Sequence, residues 1–354
     1  KIWVLPTADG SSGNVLTTNG SGTLSWASSS SGTTVDGLSD SKSGGDNFTG
    51  SLILGHATTG TLNNALGNTA VGYAALDAIT SGDYNTALGS TVLSSNTSGN
   101  QNSAIGYNAL SANTTGDYNQ AIGVSALAAN TTGTRNLAIG KDALDAADEE
   151  NDNLAIGYDA LGGAIDGGEQ NIAIGNYSLD ANTEGDQNTA VGYNALTANT
   201  TGTGNVAFGY NTLAANTTAG QNLAVGYNAL AIQTTGGEFN TGIGNYSLDA
   251  NTIGDKNVAL GYGALTANSE GSYNVGIGAE ALKINNTGAN NTALGNAAGD
   301  VITTGSNNVV IGSGSDPSAA DGSNQTVVGY GVTGQANNSV TLGNADVTAV
   351  YMAQ

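Results

Sequence analysis

The five residues NSAIG at positions 102–106 return as NQAIG at 119–123 and as NTAVG at 188–192. The shared pattern is Asn, any residue, usually Ala, an apolar residue and Gly, and it occurs fifteen times between Asn68 and Asn308. Consecutive copies are seventeen residues apart, except for two steps of eighteen that follow Asn153 and Asn222. A fixed period in this range is typical of architectures in which equivalent structural units stack on one another. The pattern therefore predicts one elongated repeat structure rather than several globular domains.

The overall composition limits the classes of protein that fit this chain. Gly accounts for 55 of the 354 residues, and the glycines follow the repeat rather than a Gly-X-Y triplet, which excludes collagen. The formal net charge of -22, from 28 acidic and 6 basic residues, argues against nucleic acid and anionic membranes as partners. Cysteine is absent, which excludes a disulfide framework and a thiolate metal site. No apolar run approaches the length of a membrane span, and residues 1–6 lack a signal-peptide pattern, so we expect no membrane insertion within this chain.

Each repeat predicts two short strands and a turn. In the copy that begins at Asn102 we expect strands over residues 102–106 and 107–112, followed by the turn sequence NTTG at 113–116. A helix is not expected, because Gly, Asn and Thr are poor helix formers and the apolar positions lack a helical period.

Adjacent apolar residues mark both predicted strands: Ala104 and Ile105 in the first, Ala109 and Leu110 in the second. Successive side chains of a strand point to opposite faces, so one apolar set fills the interior and the adjacent set faces outward. The large residues Ile105 and Leu110 are five positions apart, which we take as two interior anchors. This spacing favours a two-sided roll over the left-handed β-helix, whose three anchors are about six residues apart.

The outward set is expected to form a long apolar stripe along the stack. Soluble proteins rarely leave such a stripe bare, and a symmetric homo-oligomer covers it with a single sequence. We therefore predict an all-β fold, a repetitive parallel β-roll or solenoid with 17-residue coils, in an intertwined or side-by-side homotrimer.

Two columns of asparagine recur at fixed positions of the repeat. The first column begins each copy, and the second occupies the turn at Asn96, Asn113, Asn130, Asn199 and Asn216. Stacked identical amides form hydrogen-bonded ladders, so we expect both columns to join neighbouring coils. The Gly that closes each copy is expected to permit a positive φ or a close approach of backbones.

The pattern divides the chain into four segments. Residues 1–34 form an N-terminal segment, with two strands around an Asn-Gly turn within 14–26 and a Ser/Gly linker from Ala27 to Thr34. Residues 35–50 are a connector, 51–312 the 17-residue-repeat β-roll, and 313–354 irregular coils with a C-terminal cap or strand. Eighteen glycine-marked coils predict a rod on the order of 85 Å long, at about 4.8 Å per coil.

The repeat units resemble the heads of trimeric autotransporter adhesins of the YadA type, which carry Asn-x-Ala-x-Gly units. That resemblance implies a trimeric, left-handed parallel β-roll. The coils of that family are shorter, and here only the step from Gly329 to Gly343 has fourteen residues. The flanking stretches LPTADG at 5–10, VLTTNG at 15–20 and NSVTLGN at 338–344 are similar to segments of phage tail fibres. This second resemblance implies a virion-borne fibre.

The sequence offers little material for catalysis. His56 is the one histidine, and we expect a structural or surface role for it, because a nucleophile–base pair is hard to build without Cys or a second His. We predict no catalytic, cofactor-binding or metal-ligating residues, no cofactor and no enzymatic activity. Paired carboxylates that cleave glycosidic bonds remain an alternative, as in polysaccharide-cleaving tailspikes.

Three further groups of residues are candidates for binding. Acidic residues either form a cation site or a solvated loop; they comprise the turn column Asp83, Asp117, Asp186 and Asp255 and the cluster Asp145, Asp148, Glu149, Glu150 and Asp152. Tyrosines that follow the repeat Gly either stack sugar rings or pack against each other; they are Tyr73, Tyr107, Tyr158, Tyr193, Tyr210, Tyr227 and Tyr262. The irregular coils at 146–152, 162–170 and 232–239 are loops where partners bind or merely tolerated insertions.

Taken together, these features predict the shaft or head of a homotrimeric fibre located on a virion tail or at a cell surface. Its expected work is to present or contribute to attachment at a host surface, with a cell-surface glycan as candidate ligand and avidity from many coils. The alternatives are a bacterial trimeric surface adhesin, a polysaccharide-cleaving tailspike and a structural filament without a specific ligand.

Overall fold

The computed structural model describes residues 6, 14–18, 23–28, 41–43, 49–55, 61–163 and 166–349. These residues form twenty-one strands and no helix. The strands are β1 (Asn14–Thr18), β2 (Leu24–Ser28), β3 (Ser41–Ser43), β4 (Leu52–Leu54), β5 (Thr69–Val71), β6 (Thr86–Leu88), β7 (Ser103–Ile105), β8 (Gln120–Ile122), β9 (Leu137–Ile139), β10 (Leu154–Ile156), β11 (Ile172–Ile174), β12 (Thr189–Val191), β13 (Val206–Phe208), β14 (Leu223–Val225), β15 (Thr241–Ile243), β16 (Val258–Leu260), β17 (Val275–Ile277), β18 (Thr292–Leu294), β19 (Val309–Ile311), β20 (Gln325–Val328) and β21 (Ser339–Leu342).

The strands from β4 to β21 stack in parallel, one from each coil of the repeat. Equivalent residues lie opposite one another, so that Ala104 of β7 pairs with Ala87 of β6 and with Ala121 of β8. At one end β3 runs antiparallel to β4, and at the other β21 pairs with β20. The eighteen parallel strands span about 80 Å at about 4.8 Å per step, so the two end strands lie far apart and the stack is a solenoid. The predicted all-β repeat solenoid is confirmed.

The prediction of a second strand in each coil is wrong. Residues 107–112 form successive turns, with positive φ at Asn108 (62°) and at Leu110 (50°). Ala109 and Leu110 are both fully buried, whereas neighbouring residues on a strand point to opposite faces. The left-handed backbone at Leu110 turns its side chain inward beside that of Ala109. This side of the coil is still hydrogen-bonded to the next coil. The Leu110 N–H donates to the Ala126 carbonyl, with an N···O distance of 3.0 Å.

The core lies between the strands and these turns, and it is thin. Ala104 at the centre of β7 is fully buried, whereas Ile105 is 41% exposed. The expectation that Ile105 and Leu110 are both interior anchors is therefore wrong for Ile105. The buried apolar positions are Ala104, Ala109 and Leu110, and the buried amides of Asn102 and Asn113 close the coil between them. Alanine fits this narrow space, and the larger Ile is left outside.

Both asparagine columns join the coils as hydrogen-bonded ladders, which confirms the prediction. In the first column the Asn119 N–H donates to Asn102 Oδ1 at 2.8 Å, and Asn119 Nδ2 donates to the Gly133 carbonyl at 2.7 Å. In the second, Asn130 Nδ2 donates to Asn113 Oδ1 at 2.8 Å. These bonds satisfy polar groups that would otherwise be buried without partners.

The chain ends follow the prediction in part. β1 and β2 pair antiparallel, as expected for the N-terminal strands, and Ala27 and Ser28 belong to β2 rather than to a linker. The Asn-Gly turn, the linker residues 29–34 and most of the connector lie outside the described residues. The C-terminal segment, expected to hold a cap or strand, contains the strand β21, and the described residues 347–349 after it are not in a strand.

Candidate functional site

The first and third residues of β5 to β19 point outward and form a continuous surface, which we call the outer apolar face. The third residues are large and apolar in every coil, and they include Ile105, which is 41% exposed, and Phe208, which is 55% exposed. In the middle of the array the first residues are apolar as well, as with Leu137, Leu154 and Val206. With fifteen strands about 4.8 Å apart and outward residues about 7 Å apart, the face covers about 470 Å². An exposed apolar stripe is therefore present in the single chain, but it is formed by large residues such as Ile105, which were expected inside, and not by the alanines.

Seven tyrosines pack into a row that we call the tyrosine ladder. Its neighbouring ring centroids are 5.2 to 6.0 Å apart. The members are Tyr158, Tyr177, Tyr193, Tyr210, Tyr227, Tyr246 and Tyr262. Tyr193, Tyr210 and Tyr227 stack with interplanar angles of 10° and 6°, so their inner faces cover one another. Of the two interpretations of this column, mutual packing is the one the structure shows for these rings.

Tyr177 and Tyr246 belong to the ladder although they were not predicted from the repeat. Each stands two positions after the repeat Gly, and an asparagine takes the usual tyrosine position. That asparagine has its own role in the stack, because Asn176 Oδ1 accepts the Tyr158 N–H and Asn245 Oδ1 accepts the Tyr227 N–H, both at 3.0 Å. The displaced rings meet their neighbours edge to face rather than stacked.

The acidic turn column serves the coil stack. Asp117 Oδ1 accepts the Asn100 N–H at 2.6 Å, and Asp186 Oδ1 accepts the Glu169 N–H at 2.8 Å. Asp83 and Asp255 accept the equivalent N–H groups of the coils before them. Each of these carboxylates therefore satisfies a backbone N–H of the preceding coil, which is a structural role.

The acidic residues of the cluster at 145–152 each make contacts of their own and do not form one site. Glu150 is only 6% exposed, and its carboxylate accepts N–H bonds from Asp148 at 2.8 Å and Gly167 at 3.0 Å, thereby bridging two coils. Asp152 forms a bidentate pair with Arg135, at 2.6 and 2.7 Å. Among the described residues no group of three or more acidic or histidine side chains is arranged to hold a metal ion. An open acidic cleft of about 250 Å³ remains beside Glu149 and Glu150.

Two half-buried carboxyl groups have pKa values well above the ordinary range. Burial, with the nearby charges of Asp142 and Asp159, raises the pKa of Asp145 from 3.8 to about 6. Burial and the neighbouring Asp300 likewise raise the pKa of Asp316 to about 6. Both carboxylates are therefore unfavourable in the folded chain at neutral pH.

Acidification from pH 7 to pH 5 is expected to raise the thermal unfolding midpoint through these two groups. Between pH 3.8 and about 6 the folded state binds more protons at Asp145 than the unfolded state, so stability rises as the pH falls through this window. The Asp145→Asn variant should unfold about 1–3 °C higher than the parent at pH 7, since solvent screening keeps the gain small, and should converge with it at pH 4. Differential scanning fluorimetry measures both. Asp346→Asn, at an exposed position, is the control; an equal gain there would assign the effect to net charge instead.

The irregular coils keep their place in the stack by other hydrogen bonds than the regular coils. In residues 232–239 a glutamine takes the place of the second-column Asn, and its longer side chain spans the longer coil: Gln233 Oε1 accepts from Asn251 Nδ2 at 3.2 Å. Gln233 is fully buried. In residues 162–170 positions 164 and 165 lie outside the described residues, as does His56.

Comparison with protein-family models and with curated proteins gives no match for this chain. Within the residues that the structure describes, no helix is long and apolar enough to cross a membrane.

Proposed function

We propose that this chain is the rigid shaft or head of a homotrimeric attachment fibre, carried on a virion tail or on a cell surface. The observation that supports it is the outer apolar face, which runs the length of the coil stack with side chains such as Ile105 and Phe208 half in solvent. A soluble monomer rarely exposes an apolar patch of more than a few hundred Å². Three copies related by a threefold axis cover such a face with the same residues from each chain.

The thin core gives a second reason for assembly. Each coil buries small Ala residues and one Leu, so the hydrophobic stabilisation per residue is low while the backbone of many glycines must be ordered. Burying the outer apolar face between chains adds stabilisation of the same kind as a second core. A rigid rod of about 80 Å with repeated surface features then presents many equivalent contacts at once, which suits attachment to a repetitive polymer such as a surface glycan.

Light scattering on the purified chain tests the trimer. We expect a native mass of three times 34.7 kDa, and one chain mass after denaturation. The double variant Ile105→Lys/Ile122→Lys places two charges in the outer apolar face without touching the interior, because both residues are exposed. Burying an uncompensated charge at an interface is costly, so this variant should dissociate to monomers at micromolar concentration.

The matched control is Thr115→Lys/Thr132→Lys, which adds the same charges to exposed turns of the same two coils. It should remain trimeric. A monomeric parent chain, or equal dissociation of both variants, would contradict the proposal that this face is the interface.

Polysaccharide cleavage is not part of the proposed function. The turn-column carboxylates accept backbone N–H bonds, and Glu150 and Asp152 are held by coil contacts and by Arg135. Incubation with purified surface polysaccharide should therefore release no reducing ends above background; steady release would identify a depolymerase instead of a passive fibre.

A further inference from the structure

An open cleft of about 260 Å³ lies where the tyrosine ladder ends. Tyr246 and Tyr262, the last two rings of the ladder, line it together with Asp249, Gly263 and Thr266. Glu280 and Lys283 complete the lining, and their Oε1 and Nζ atoms are 2.9 Å apart. The cleft thus combines aromatic surface with carboxylates and an ammonium group.

Two interruptions of the repeat create this cleft. The position two after the repeat Gly carries a side chain in most coils, including Asn228 and Glu280, but it is Gly263 in the coil between Tyr246 and Glu280. A methyl group on Gly263 would lie 3.2 Å from Thr266 Oγ1 and 4.0 Å from Glu280 Cγ, so Thr266 and Glu280 bound the space that a side chain fills in other coils. In the following coil the tyrosine position is Ala279, which is too short to continue the ladder. Two missing side chains in adjacent columns therefore leave a gap one coil wide.

The groups around the gap have unused binding capacity. Tyr262 is 57% exposed, and it meets Tyr246 edge to face at an interplanar angle of 84°, which leaves ring surface uncovered. Asp249 also lines the cleft, but its Oδ1 is shielded from solvent and is not within reach of a ligand. The side chains of Glu280 and Lys283 are both partly exposed, so a hydroxyl group that enters the cleft can donate to the carboxylate and accept from the ammonium group.

A sugar ring matches these groups chemically. Its C–H face packs on an aromatic ring by dispersion, and its hydroxyl groups donate to carboxylates and accept from an ammonium group. The cleft itself carries the formal charges of Asp249, Glu280 and Lys283, a net of minus one, and the whole chain carries -22. An acidic sugar would be repelled, which leaves a neutral one.

We propose that the cleft bounded by Tyr246, Asp249, Tyr262 and Glu280 binds one neutral pyranose unit of a surface polysaccharide. The inference rests on the proposed attachment function and gives it a ligand class and a location. The cleft lies near the C-terminal third of the coil stack, so a trimer presents three equivalent copies of it, and weak binding at each is strengthened by avidity.

The decisive variant is Gly263→Asn, which refills the gap with the residue that the same column carries in other coils. The substitution is compatible with the backbone: Gly263 has φ 60°, and Asn194, Asn211 and Asn228 occupy the column at φ 55°, 51° and 52°. The matched control is Gly314→Asn, in the same column at φ 59°, where a methyl group meets nothing within 4 Å.

Saturation-transfer NMR on the intact chain, with methyl glucoside, galactoside, mannoside and N-acetylglucosaminide as probes, tests the site. We expect at least one neutral glycoside to bind, at least a tenfold weaker signal in Gly263→Asn, and no change in Gly314→Asn. Glu280→Gln should weaken binding, whereas Asp159→Asn, in the same column of another coil, should not. A parent chain that binds none of the four, or that binds equally after Gly263→Asn, overturns the inference.

The outcome is separable from the proposed function. A trimer by light scattering that shows no glycoside binding overturns the cleft assignment and leaves the fibre intact. A monomeric chain whose glycoside binding is lost in Gly263→Asn supports the cleft while removing the trimeric fibre.

Discussion

Replacing Gly123 by alanine is expected to lower the free energy of unfolding by about 3–5 kcal/mol, the sum of a backbone and a steric effect. Gly123 has φ 143°, a conformation that residues with a Cβ rarely adopt. A methyl group there would lie 2.1 Å from the Gly140 carbonyl oxygen of the next coil, a contact with backbone that no side-chain rotation relieves. The same glycine recurs in every coil, so the coil spacing itself depends on the absence of a side chain at this position.

Urea unfolding followed by far-ultraviolet circular dichroism measures this loss. Gly314→Ala is the matched control, because Gly314 also has a positive φ of 59° but leaves open space for a methyl group. It should cost about 1 kcal/mol, which is the backbone effect alone. Equal losses in the two variants would show that conformation rather than the approach of the next coil makes glycine necessary at Gly123.

The coil period, the number of coils and the asparagine ladders follow from the sequence because each is repeated. A single Asn such as Asn102 is uninformative, but fifteen copies spaced by seventeen or eighteen residues leave stacking as the simplest arrangement in which buried amides find partners. Both columns were therefore predicted, together with the strand around Ala104. The trimer, by contrast, depends on a partner chain and stays a prediction.

It was harder to predict which residues on each side of the coil face the interior. Where two neighbouring residues are both apolar, the sequence does not show which of them points inward. Ala104 and Ile105 are neighbours, and a shift of one residue exchanges which of them faces inward. The choice is made by the narrow interior, which accommodates alanine next to Leu110. The sequence also contains no signal for the positive φ of Leu110 at 50°, a conformation that is uncommon for a bulky side chain.

The cleft beside Tyr262 illustrates another limit. Gly263 and Ala279 are ordinary small residues when the chain is read in order, and they adjoin only when consecutive coils are aligned. Tyr246 is displaced by one position from the tyrosine column, so its part in the ladder needed the coordinates. The sequence thus places the regular tyrosines, Tyr262 included, in one column and leaves open whether they stack on sugars or on each other, whereas Tyr177 and Tyr246 were not predicted in the ladder.

The first asparagine column should give the second large effect. Asn119→Ala removes the acceptor of the Asn136 N–H, a bond of 3.0 Å, and the donor to the Gly133 carbonyl, a bond of 2.7 Å. Both groups are buried, and each unsatisfied one costs about 1–3 kcal/mol, so we expect a loss of about 3–5 kcal/mol in urea unfolding. Thr132→Ala, at an exposed turn position of the same coil and away from the outer apolar face, should change stability by less than about 0.5 kcal/mol.

An aspartate at position 119 separates the two roles of this amide. Asn119→Asp keeps an acceptor for the Asn136 N–H but faces the Gly133 carbonyl with a carboxylate oxygen instead of a donor. Burial and this carbonyl should raise the pKa of the new carboxyl group, so the folded state takes up a proton and stability recovers as the pH falls from 7 to 4.5. The protonated group again donates to Gly133. Asn119→Ala, measured over the same pH range relative to the parent chain, should show no such recovery; a parallel pH profile for the two variants would mean that the lost donor does not account for the cost.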